Sequence, residues 1–209
     1  MKPVSQSFTL QAVSATSVAA LQTKGSAGTL TLASTATTDG MAHQLTLTST
    51  GNISAVNFTF IGTDADGRAV TEVLAGPNNN TVTTTKYYQN ITSISNSAAV
   101  GTNTSAGIAA LAAGPSVIGD RFSIDSTVMV VLTGTVNYTI QYSNDYPNIT
   151  DNSVSSGFWV NSTDTDVSNA TASSASSASG PVIAYRLTIN SYSSTPTISA
   201  NYAWSSANL

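Results

Sequence analysis

Between Thr135 and Ser143 the chain reads Thr-Val-Asn-Tyr-Thr-Ile-Gln-Tyr-Ser. On an extended backbone Val136, Tyr138, Ile140 and Tyr142 project to one side, and Thr135, Asn137, Thr139 and Gln141 to the other. A period of two in β-branched and aromatic residues predicts a half-buried strand. Working outward, similar segments occur at 29–33, 43–49, 56–61, 69–74, 86–95, 183–190 and 197–204. Segment 122–132 differs, because Val128-Met129-Val130-Val131-Leu132 is a continuous apolar run and predicts a strand covered on both faces.

The connections carry turn residues. Gly134 between two strong strands predicts one hairpin, and Asn190 to Pro196 predicts a second. Asp64-Ala65-Asp66-Gly67 predicts a tight turn between 56–61 and 69–74, with Gly67 free to take a positive φ. Helical signal is poor, and 106–113 reads as a turn or two of helix at most, confined by Gly107 and Gly114-Pro115. Many short strands at close spacing predict an all-β fold, an antiparallel β-sandwich or jelly roll, as one composite or two small β domains. A boundary is expected at Gly114-Pro115. It leaves an N-terminal β domain over 1–114, preceded by an extended arm (1–12), and a C-terminal sandwich portion over 115–209. Segment 161–180 is low in complexity, with Val167 its one sizeable apolar residue, and reads as an exposed loop.

Composition narrows the function. Of 209 residues only 8% are charged, against roughly 25% in an average domain. Ser, Thr, Asn and Ala take their place, a surface suited to packing against other protein. Net charge is −4, and the six basic residues, Lys2, Lys24, Arg68, Lys86, Arg121 and Arg186, are scattered singly. No stripe can neutralise phosphates, so nucleic acid is not an expected partner. Absence of Cys removes disulfides and thiolate metal sites. The N-terminus lacks an apolar leader and no run approaches a membrane span. A soluble product made in the cytoplasm, with no membrane partner, is expected.

Chemistry-bearing residues are few. The acids are nine Asp and Glu72. Asp64 and Asp66 form an Asp-x-Asp-Gly turn that resembles the start of a calcium loop, yet no acid closes it. They are the weak metal candidates, and a turn in which Asp caps its own backbone is the preferred reading. Asp164 and Asp166 repeat the pattern. His43 is the single His and reads as a surface residue at a strand start, with no nucleophile elbow nearby. No phosphate cradle opens a helix, and no catalytic, cofactor or firm metal site emerges. The Asn-x-Ser/Thr triplets follow from composition alone. Strand aromatics Tyr138, Tyr142, Tyr185, Tyr202 and Trp204 read as core, whereas Tyr146, Phe158 and Trp159 are candidate interface or sugar-stacking anchors.

Two blocks carry a resemblance. The first runs from Val56 to Ser95 through Gly62-Thr63-Asp64-Ala65-Asp66-Gly67-Arg68-Ala69-Val70-Thr71-Glu72, Gly76-Pro77-Asn78 and Thr83-Thr84-Thr85-Lys86-Tyr87-Tyr88. The second comprises Gly134 to Tyr142, Phe158-Trp159 and Pro181-Val182-Ile183-Ala184-Tyr185-Arg186-Leu187. Together they resemble small β-rich virion structural proteins of tailed bacteriophages. The resemblance implies a β-sandwich on the capsid, at the head–tail junction or in the tail, with no catalytic residue to transfer. Within that set it favours a capsid decoration (cement) protein, commonly a trimer seated over gaps between major capsid proteins. Expected partners are the major capsid protein or other virion proteins and further copies of the chain; a tail module binding host-surface glycans is the alternative.

Overall fold

The computed structural model describes residues 2–119, 123–144, 159–179 and 182–206. Among them no helix occurs. In chain order the strands are β1 (Val4–Thr9), β2 (Ser14–Lys24), β3 (Gly28–Thr29), β4 (Ala42–Ser49), β5 (Asn57–Thr63), β6 (Ala69–Ala75), β7 (Thr81–Tyr88) and β8 (Asn90–Asn96). They continue with β9 (Val100–Ala113), β10 (Val117–Ile118), β11 (Ser123–Thr133), β12 (Val136–Ser143), β13 (Val160–Asn161), β14 (Ser174–Ser179), β15 (Ala184–Tyr192) and β16 (Thr197–Ser206). The chain divides into two compact units. One is contiguous, Val13–Ala112; the other is split, Met1–Ala12 with Ala113–Leu209. The first is therefore an insertion within the second.

Each unit repeats one topology. In the inserted unit β2-β9-β4-β7 form one sheet and β3-β8-β5-β6 the other. Numbered within the unit, these are positions 1-8-3-6 and 2-7-4-5. In the split unit β1-β16-β11-β14 and β10-β15-β12-β13 occupy the same positions in the same order. Two four-stranded antiparallel sheets in this winding are a jelly roll, so the chain is one jelly roll interrupted after its first strand by another. In the inserted unit Leu45, Leu47, Phe58, Phe60, Ile91, Ile94 and Ile108 form a common buried cluster. In the split unit Tyr185 stacks on Tyr202 with ring centroids 5.7 Å apart, and Trp204 lies 6.0 Å from Tyr185. Burial of such aromatics dominates a small core.

The structure bears out the sandwich and the β5–β6 hairpin, where Asn57 to Thr63 pair in register with Ala75 to Ala69. It corrects several local expectations. The links at Gly134 and at 193–196 are not hairpins. β11 pairs with β14 and β16, whereas β12 pairs with β13 and β15, so each link carries the chain from one sheet to the other. Segment 86–95 is not one strand, because Gln89 alone separates β7 from β8, which lie in opposite sheets. Segment 106–113 is strand β9, not helix. Its Ala and Gly residues suit a position buried between neighbours, where tertiary pairing overrides propensity. The run in β11 is covered on one face only: Val128 and Val130 are buried, while Met129 and Val131 are 49% and 46% exposed.

Two expected contact elements are structural. The N-terminal arm is strand β1, paired with β16 from Val4↔Tyr202 to Thr9↔Thr197, and so belongs to the C-terminal unit's sheet. Of the expected loop 161–180, residues 161–179 are described, and they close the split unit. Tyr138 and Ala170 exchange backbone hydrogen bonds of 2.9 Å, Ile140 N–H donates to the Val167 carbonyl at 2.8 Å, and β14 pairs with β11. The Ser- and Ala-only segment Ser174–Ser179 serves as a strand, and Val167 is buried. An edge with open backbone donors recruits any segment able to satisfy them.

Candidate functional site

The Asp64/Asp66 turn binds its own backbone. One Asp64 carboxylate oxygen accepts from the Asp66 and Arg68 amides, both at 2.9 Å. Arg68 donates to Asp66 at 2.9 Å, and Gly67 takes φ 77° to close the turn. Burial pushes the Asp64 carboxyl above its usual range, opposed chiefly by the Arg68 amide. Among the described residues no group of three or more His, Cys, Asp or Glu is placed to hold a metal ion. The Asp64 carboxylate is thus a backbone acceptor in the turn, and that of Asp66 accepts from the Arg68 guanidinium.

His43 is not on the surface. Its ring is buried, with Nε2 2.8 Å from Asp39 Oδ2 and Nδ1 3.0 Å from the Ala109 carbonyl. The ring ties β4 to its sheet neighbour β9, and Asp39 also accepts from the Met41 amide at 3.0 Å. Glu72 is another structural tie. Its carboxylate accepts from the Thr85 and Lys86 amides at 2.9 and 3.0 Å, joining β6 to β7 across the edges of the two sheets.

Of the expected anchors, Tyr146 and Phe158 lie outside the described residues. Trp159 is 4% exposed. The Arg186 guanidinium lies 4.4 Å from the centre of its ring, so that face is covered by a cation and not presented to a sugar. Arg186 Nε donates to Gln141 Oε1 at 2.7 Å, and Gln141 Nε2 donates to Asn161 Oδ1 at 2.7 Å. Together these side chains hold the two-residue β13 onto β12.

Two features escaped the sequence. The first is a pair of uncharged sheet faces. In the split unit Met129 and Val131 sit among Thr127, Ala175, Ser199 and Asn201; the strand residues of that face between Thr127 and Thr133 are uncharged, and Asp164 borders it beside Thr127 and Met129. In the inserted unit Ile61 and Val73 are likewise exposed, amid Thr59, Thr71, Ser93 and Ser95. The signal was available as the near-absence of charge, but the faces form only once the strands are ordered. The second is a cavity of about 360 Å³ in the split unit, bordered by β12, β14, β15 and segment 162–167.

Fold and surface thus define a class: paired jelly rolls with neutral outer faces. No protein-family model matches the chain, and neither does any curated protein. Among solved structures the chain is similar to the major capsid protein P2 from Bacteriophage PM2, at 11% identity and a TM-score of 0.21, over 98% of this chain and 99% of that one.

Proposed function

We propose that the chain is a non-enzymatic structural protein of a phage virion, acting as a capsid decoration (cement) protein. The observation that carries this is the doubled jelly roll with neutral outer faces. Jelly rolls recur in viral shells, and that part of the argument is fold analogy. The surface argument is independent of it. A charged face must shed its hydration to pack against protein, whereas Ser, Thr, Ala and a central Met or Val do so at little cost. Repetition by symmetry multiplies weak contacts into a firm hold. Asp39, Asp64, Glu72 and His43 each hydrogen-bond a backbone group and Asp66 pairs with Arg68, structural roles that favour a non-enzymatic reading. Its partners are the major capsid protein and further copies of itself.

The test is a phage lacking this chain. Particles without it should release DNA at a lower temperature than complete ones, and adding the purified protein back should restore the difference. Equal heat tolerance with and without the chain would refute the cement role.

A further inference from the structure

We propose that the cavity beside β14 is a binding site for a single neutral saccharide ring. The proposal rests on the cavity alone and holds or fails independently of the virion role. The cavity has a structural origin. The fifth strand of the winding, β6, has seven residues in the inserted unit, but its counterpart β13 has two. Among the described residues the sheet β10-β15-β12-β13 therefore stops short opposite β14, beside a space of about 360 Å³. That volume lies within the span of roughly 300–1,000 Å³ usual for small-molecule sites.

The lining selects the ligand. Ile140, Val167 and Val182 give an apolar wall and Tyr142 adds an aromatic ring; Tyr185, which also borders the space, is a buried core residue. Asn144, Ser162, Asp164 and Ser176 add an amide, hydroxyls and a carboxylate. Among the described residues no Lys, Arg or His lines the space, so an anionic ligand finds no counter-charge. A lone carboxylate is too small a donor set for a bound metal. A neutral ring with one apolar face and several hydroxyls matches what remains. Asp164 is prepared to accept from it. The Ser176 hydroxyl and the Asp166 amide, the latter at 3.0 Å, hydrogen-bond its carboxylate and hold its carboxyl below the usual range. A carboxylate has lone pairs beyond those two bonds.

The experiment titrates the full chain with the methyl glycosides of glucose, galactose, mannose and N-acetylglucosamine, read by saturation-transfer NMR and calorimetry. At least one should saturate. Asp164→Asn, which keeps an acceptor for the Asp166 amide, should weaken it about tenfold, as expected when a hydrogen bond loses its charged partner. Ala178→Phe and Ser176→Leu fill the space and should abolish binding, with thermal melts showing that each variant is folded. Failure of all four glycosides to saturate by about 10 mM would overturn the proposal, since that is weaker than the millimolar scale of a real single-ring site. Undiminished binding in both filled variants would also overturn it.

Discussion

Asp64 shows how a residue that looks chemical becomes structural. Its carboxylate is held over the β5–β6 turn by two amides, and burial raises its folded-state pKa above the ordinary 3.8. A carboxyl with a raised folded pKa binds its proton more tightly in the folded chain. Stability therefore increases as pH falls from above the folded value towards 3.8, and is level outside that window. Asp64→Asn keeps an acceptor for both amides and removes the titration. The variant should start at least as stable as the parent near neutrality, and the parent should gain on it as pH falls. Urea midpoints across pH check this; a difference independent of pH would contradict it. The burial of His43 and of Trp159 is not legible in the sequence, for a common reason. A side chain's partners, here Ala109 and Arg186, are remote in sequence, and local wording carries no trace of them.

At the scale of elements, the links between strands decide the architecture. Around Gly134 the chain leaves one sheet and enters the other, and the link before β16 does the same beside it. Thr133 and Thr197 hydroxyls meet at 2.5 Å, Ser193 N–H donates to the Thr135 carbonyl, and Leu10 N–H donates to the Pro196 carbonyl at 2.9 Å. The alternation of β11 and β12 fits a hairpin and a sheet-crossing link equally well, because both send the same side chains inward. Gly134 has φ 83°, and a Cβ there would sit 3.0 Å from that of Pro196. Gly134→Ala should therefore cost about 1–2 kcal/mol through the left-handed backbone alone. Thermal melts measure it, and an unchanged midpoint would show that the link relaxes freely.

For the whole molecule, the insertion of one jelly roll into another has a consequence for folding. The buried cluster running from Val18 to Ile108 lies wholly within the inserted unit. A unit that owns its core should fold when excised. A fragment spanning Val13–Ala112 should unfold cooperatively in urea with dispersed amide resonances. A fragment with no transition would mean that the unit depends on the rest of the chain. The shared winding of the two units was invisible in the sequence, which shows no repeat. Topology constrains only which positions point inward, and many unrelated residues meet that requirement.

The sequence by itself determined the pleat: which residues of most strands face a core, that strands dominate, and that the surface would be nearly uncharged. These follow from side-chain alternation and composition, which are local properties. Tertiary structure alone decided which strands pair, that the first strand belongs with the last, and that an Ala- and Gly-rich segment extends instead of coiling. It also decided that a Ser-rich stretch closes an edge and that a cavity lies beside a short strand. Those outcomes depend on satisfying backbone donors and filling space between segments distant in the chain, and no window of sequence contains both partners.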